Sequence, residues 1–118
     1  MKIAVCVEKS GGISFNNRPV SRDRVLLEKL AALAGEGRVL FEKDISAVSS
    51  EENIYFMESD KIPMEKVSQI YLFRWNRDYP ADVYFNYDLK ELGFTRVKKE
   101  DFAGFSHKKI TLEIYQKR

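Results

Sequence analysis

The sequence predicts an α/β fold: a single-domain sandwich over residues 1–118 with a mixed, mainly parallel sheet and an antiparallel C-terminal hairpin. Three observations predict it. Of two short apolar runs, residues 2–8 have the continuous apolar pattern of a strand covered on both faces, and residues 70–73 are strongly strand-like. An amphipathic stretch follows the first of them, so strand, helix and strand alternate as in a parallel unit. The last third instead alternates apolar and polar residues, ending in ITLEIY, as in a hairpin. A chain of 118 residues fits one domain by size, and 44% hydrophobic residues are enough to fill a core.

The elements follow in order. Residues 2–8 (KIAVCVE) are a β-branched strand closed by the turn signal Ser10-Gly11-Gly12. Residues 13–15 read as a brief strand or an extended loop. Pro19 turns Arg18 away from helical geometry. Ser21 is a helix N-cap, and Asp23 complements the dipole of the first turn. Leu26, Leu30 and Leu33 recur at i, i+4 and i+7, flanked by Leu27 and Ala34, and define one buried helix face. Arg24 and Glu28 pair on the opposite side. Gly35 and Gly37 close the helix. Residues 38–41 and 53–57 are further strands, 45–50 a helical turn, and 64–67 a short helix opened by Pro63. Residues 70–73 are the strongest strand, and 79–87 read as irregular or extended. Strands at 94–98 and 110–115, joined by a longer loop with Gly104 and the polar 106–109, make the hairpin.

Composition narrows the function classes. No run approaches the roughly 18 apolar residues of a membrane helix, and the start of the chain lacks the pattern of a secretory leader. The single cysteine, Cys6, has no internal disulfide partner and sits in the first apolar strand, so it reads as a buried structural thiol. These features place the chain in the cytoplasm, with no membrane partner. The net charge of +2 conceals a segregation. Residues 1–41 carry seven Lys/Arg against four Asp/Glu, residues 42–68 three against seven, and residues 90–118 eight against four. Two basic ends flank an acidic middle. If the ends meet in space they form a basic patch.

Three constellations can carry chemistry. FNNRPVSRDR contributes Asn16, Arg18, Arg22 and Arg24. Guanidinium forks suit phosphate or carboxylate, and a helix N-terminus suits an anion. The same stretch is also explained as a loop and a capped helix. RWNRDYP contributes Arg74, Trp75, Asn76, Arg77 and Tyr79, at the end of the strongest strand, where α/β sheets place their ligand crevices. Its rings can stack on a base and its arginines can hold phosphate, or the rings can simply cover the sheet edge. FAGFSHKK contributes His107, the only histidine, beside two lysines, as a candidate general acid or base. One histidine and one cysteine argue against a histidine-based metal site, and no nucleotide-loop or nucleophile-elbow motif is present. No cofactor is implied.

In order and over nearly the whole chain, FNNRPVSRD, RWNRDYPAD and FAGFSHKKIT resemble a group of small bacterial proteins that carry the label ribonuclease Z. Ribonuclease Z enzymes themselves are metallo-β-lactamase-fold hydrolases with an HxHxDH zinc motif. That motif has no counterpart here, so the resemblance carries over no zinc ligands and no such tRNA processing. In arrangement, QIYLFRWNRDYPADVYF followed by a hairpin ending ITLEIYQKR is similar to the last third of dihydrofolate reductases. This second resemblance implies sheet architecture only, because the glycine-rich cofactor motif of those enzymes is absent.

Three functions are therefore expected from the residues. The first is a module binding a phosphorylated ligand, RNA or a nucleotide, through an arginine and aromatic cleft. The second is a regulatory module whose partner is another protein or a second copy. The third is a metal-independent phosphoester-processing enzyme using His107.

Overall fold

The computed structural model describes residues 1–15, 18–19, 24–35, 37–41, 53–58, 62–76, 81–104 and 108–117. Its main layer is a six-stranded sheet. In chain order the strands of that sheet are β1 (Lys2–Val7), β4 (Val39–Phe41), β5 (Ile54–Met57), β6 (Gln69–Arg74), β8 (Phe94–Phe102) and β9 (Ile110–Lys117). Their spatial order is β4-β5-β1-β6-β9-β8. The first four of these neighbours run parallel, with Val5 between Met57 on one side and Leu72 on the other. The C-terminal hairpin completes the sheet antiparallel, as the alternating sequence predicts. It joins through its last strand: β9 lies between β6 and β8, which makes β8 the edge.

The two faces of this sheet are covered differently. On one face lies α1 (Arg24–Ala34), whose Leu26 and Leu30 are fully buried against Ala4, Cys6, Phe73 and Leu112. This is the leucine face read from the sequence. Gly35, at φ +58, ends the helix, and its N–H donates to the Ala32 carbonyl. The other face carries a second core of Ile3, Val5, Ile70 and Leu72. It is covered by Ile13 of β2 (Gly12–Phe15), by Met64 of the 3-10 turn Met64–Lys66, and by the segment containing Phe85, Tyr87 and Leu89. β2 belongs to a small antiparallel sheet with β3 (Arg18–Pro19) and β7 (Val83–Tyr84).

Most predicted elements lie where expected, with small shifts at their ends. The exception is β8, which runs to Phe102 although the alternating pattern covers only residues 94–98. Its middle is charged and exposed, because an edge strand gains its backbone partners from one neighbour and leaves its side chains in water. The predicted helical turn at 45–50 and the N-cap Ser21 lie outside the described residues. Cys6 is buried, as expected.

Candidate functional site

A polar corner forms where the carboxyl end of β6 meets the start of β9. Alternation along β9 sends Ile110, Leu112 and Ile114 into the helix-side core and leaves Thr111, Glu113 and Tyr115 on the opposite face. Thr111 and Glu113 are each only 5% exposed. Buried polar groups need partners, and neighbouring strands supply them.

Glu113 is the centre. Its Oε1 accepts the Arg74 Nε–H at 2.8 Å and the Tyr115 hydroxyl at 3.0 Å, and its Oε2 accepts an Arg96 Nη1–H at 3.3 Å. Arg74 comes from β6 and Arg96 from β8, so one carboxylate ties three strands together. Burial pushes the Glu113 carboxyl up, but the Arg74 hydrogen bond and charge, with help from Tyr115 and Arg96, outweigh it and hold the group below the usual carboxylate value. Burial opposes the Arg74 charge too, and Glu113 again outweighs it and raises Arg74. Burial and the bond to Glu113 push the Tyr115 phenol up.

The second half of the corner is built on Asn76. Its φ of +59° is the left-handed region, which asparagine tolerates better than most residues. From there its Nδ2 donates to the Thr111 Oγ1 at 2.9 Å, and Thr111 donates to the Asp101 Oδ1 at 2.6 Å. That hydroxyl is the main reason Asp101 lies below the usual carboxylate value; burial opposes it, and Lys109 and Lys99 add to it. Lys109 lies 3.6 Å from Asp101. Beside this chain opens a pocket of about 190 Å³, lined among the described residues by Trp75, Asn76, Lys108 and Lys109. Both lysines are exposed.

The remaining sequence-predicted site residues are distributed as follows. Trp75 is 1% exposed and packs in the helix-side core with Phe73 and Ile110, so it presents no open ring face on which a base could stack. Parity along β6 explains this: Tyr71, Phe73 and Trp75 share one face, and Arg74 projects from the other. Arg24 is exposed in the first turn of α1, a helix that packs on the face away from Arg74. Arg18 lies in β3, paired with Phe15. Asn16, Arg22, Arg77, Tyr79 and His107 lie outside the described residues. Sequence reasoning missed Glu113 and Arg96. A glutamate between Leu112 and Ile114, in an otherwise strand-like run, is the signal that could have found the first.

The two chain ends meet at Ser68, whose N–H donates to the Met1 carbonyl at 2.7 Å and whose carbonyl accepts the Lys117 N–H at 2.9 Å. This meeting point is at the opposite end of β6 from Arg74. Among the described residues, no group of three or more His, Cys, Asp and Glu side chains is placed to hold a metal ion, and no helix is long and apolar enough to cross a membrane. No protein-family model matches the chain, and no curated protein matches it.

Proposed function

We propose that the chain is a binding module for a phosphorylated ligand, RNA or a nucleotide, held at the carboxyl end of β6. One observation carries the reading: the pocket beside Asn76 opens at the carboxyl end of β6, an interior strand parallel to β1 and antiparallel to β9, and is flanked by Lys108 and Lys109. Open α/β sheets bind ligands outside the carboxyl ends of their strands, and lysine ammonium groups attract phosphate. The volume of about 190 Å³ is below the roughly 300–1,000 Å³ of pockets that enclose a whole drug-sized ligand. The pocket therefore takes one charged group and leaves the rest of the ligand outside. With Trp75 in the core, affinity comes from charge and hydrogen bonds rather than from stacking on that ring.

Fluorescence anisotropy with labelled single-stranded RNA, and calorimetry with a nucleoside diphosphate, test the reading over a range of salt. Binding weakens as salt rises if phosphate contacts carry it. Lys108→Ala combined with Lys109→Ala lowers affinity and makes the salt dependence shallower by one to two phosphate contacts, about 0.7 each for a single strand. Weak, salt-independent binding of both probes overturns the reading.

A further inference from the structure

The Glu113 network has more cation than its carboxylate uses. Glu113 takes one N–H from Arg74 and one from Arg96, while a guanidinium carries five. The side chains of Arg74 and Arg96 remain 41% and 49% exposed. Among the described residues neither arginine forms a second ion pair. Glu113 itself is satisfied by Arg74, Arg96 and Tyr115 together.

A β-bulge adds to this. The register of β8 on β9 slips between Arg96 and Lys98. Arg96 stands opposite Tyr115, and Lys99 opposite Glu113, so Arg96 and Lys99 lie on the same face three residues apart. A regular strand puts residues of that spacing on opposite faces. The slip leaves Val97 55% exposed, an apolar cost at the sheet edge. What it secures is a third cation on the face shared by Arg74 and Arg96, where Lys99 adds its charge beside Asp101. Bulges recur beside functional sites, where they re-aim a side chain.

Stability alone does not account for this choice of residues. A buried carboxylate paired with arginine offsets its own desolvation at best, and apolar residues of similar volume usually serve as well. A carboxylate that fixes guanidinium groups by one edge does something an apolar residue cannot: it presents their other N–H groups outward at low entropic cost.

We propose that Arg74 and Arg96, aligned by Glu113 and reinforced by Lys99, form a two-guanidinium clamp for a phosphoryl group. Glu113 is a positioning residue and touches no ligand. The clamp lies at the same end of β6 as the lysine pocket, since Arg74 precedes Asn76 by two residues and Thr111 pairs with Arg74 while bonding Asn76. The inference rests on the phosphate-binding reading of this corner, and it assigns the ligand class: one carrying at least two phosphoryl groups, one for each subsite.

The probe is inorganic pyrophosphate, titrated calorimetrically at low salt into the full chain. Arg96 is on the edge strand and half exposed, so its variants should fold, with circular dichroism as the check. Arg96→Ala should weaken pyrophosphate binding about ten-fold, the equivalent of one charge-assisted hydrogen bond. Arg96→Lys keeps the charge and loses the fork, and should still weaken binding several-fold. On addition of pyrophosphate, the Arg74 Nε–H resonance should shift in the wild-type protein and stay in place in Arg96→Ala. Wild-type affinity in Arg96→Ala, or full rescue by Arg96→Lys, overturns the clamp. If the double lysine variant loses pyrophosphate while Arg96→Ala keeps it, the clamp fails and the binding function stands. If the unmodified protein binds neither pyrophosphate nor the RNA and nucleotide probes, both fall.

Discussion

The two faces of β9 are built from adjacent residues and follow opposite rules. Ile110, Leu112 and Ile114 enter a core shared with Leu26, Leu30 and Phe73, whose side chains pack by volume alone. On the other side Thr111 and Glu113 are buried and Tyr115 partly so, but each is tied to named partners by hydrogen bonds. Burying apolar surface stabilises without direction. Burying Glu113 does so only if Arg74 and Arg96 arrive at its two oxygens. One face therefore supplies stability, and the other spends specific geometry to fix the orientation of charged groups on β6 and β8.

The apolar face should be the more costly one to break. Leu112 is fully buried, and Leu112→Ala removes its methyl groups from the sheet–helix layer and leaves a cavity there. A loss of about 2–5 kcal/mol is expected by chemical denaturation. A loss much smaller than that would mean that α1 settles onto the sheet, and that the helix-side layer is less tightly packed than its burial implies.

The polar face should lose less and should show its character in pH. Glu113→Gln keeps the shape and removes the charge, at about 1–3 kcal/mol near neutrality. The Glu113 carboxyl lies below its usual value in the folded protein, so its contribution is present above the unfolded-state pKa and lost as pH falls through the folded one. The gap between wild type and Glu113→Gln should therefore close on acidification. Tyr115 lies above its usual value, so its contribution is present below the ordinary tyrosine pKa and lost as pH rises through the raised one. Denaturation midpoints for Tyr115→Phe and wild type should converge in alkali. A gap independent of pH in the Glu113→Gln series would show that shape, not charge, holds this face.

The same contrast explains what was legible in the sequence. β1 and β6 were readable because runs of β-branched and aromatic residues require burial on both faces, and α1 because its leucines repeat at the helical period. The second part of β8 was hidden, since Lys99 to Asp101 have no reason to look like a strand until β9 is beside them. Trp75 has the ring of a stacking platform, but the period of two from Tyr71 through Phe73 assigns it to a buried face. Arg74 is legible from its position at the end of a strongly strand-like run. Its partners Glu113 and Arg96 are 39 and, from Glu113, 17 residues away in sequence, and no local pattern encodes such contacts.

The smallest effect in this comparison concerns the backbone that joins the two faces. Between Trp75, locked in the apolar layer, and the polar corner, the chain turns through Asn76 at φ +59°. Two explanations for asparagine compete: its tolerance of the left-handed region, and its amide bond to Thr111. Asn76→Gly keeps the first and loses the second, whereas Asn76→Ala loses both. If backbone tolerance dominates, Asn76→Ala should cost about 1 kcal/mol and Asn76→Gly close to nothing, because glycine adopts this conformation without a Cβ penalty. Equal losses in both variants would transfer the role to the amide. In that case the Asn76–Thr111–Asp101 chain holds this turn, and Thr111→Val should reproduce the same loss of stability.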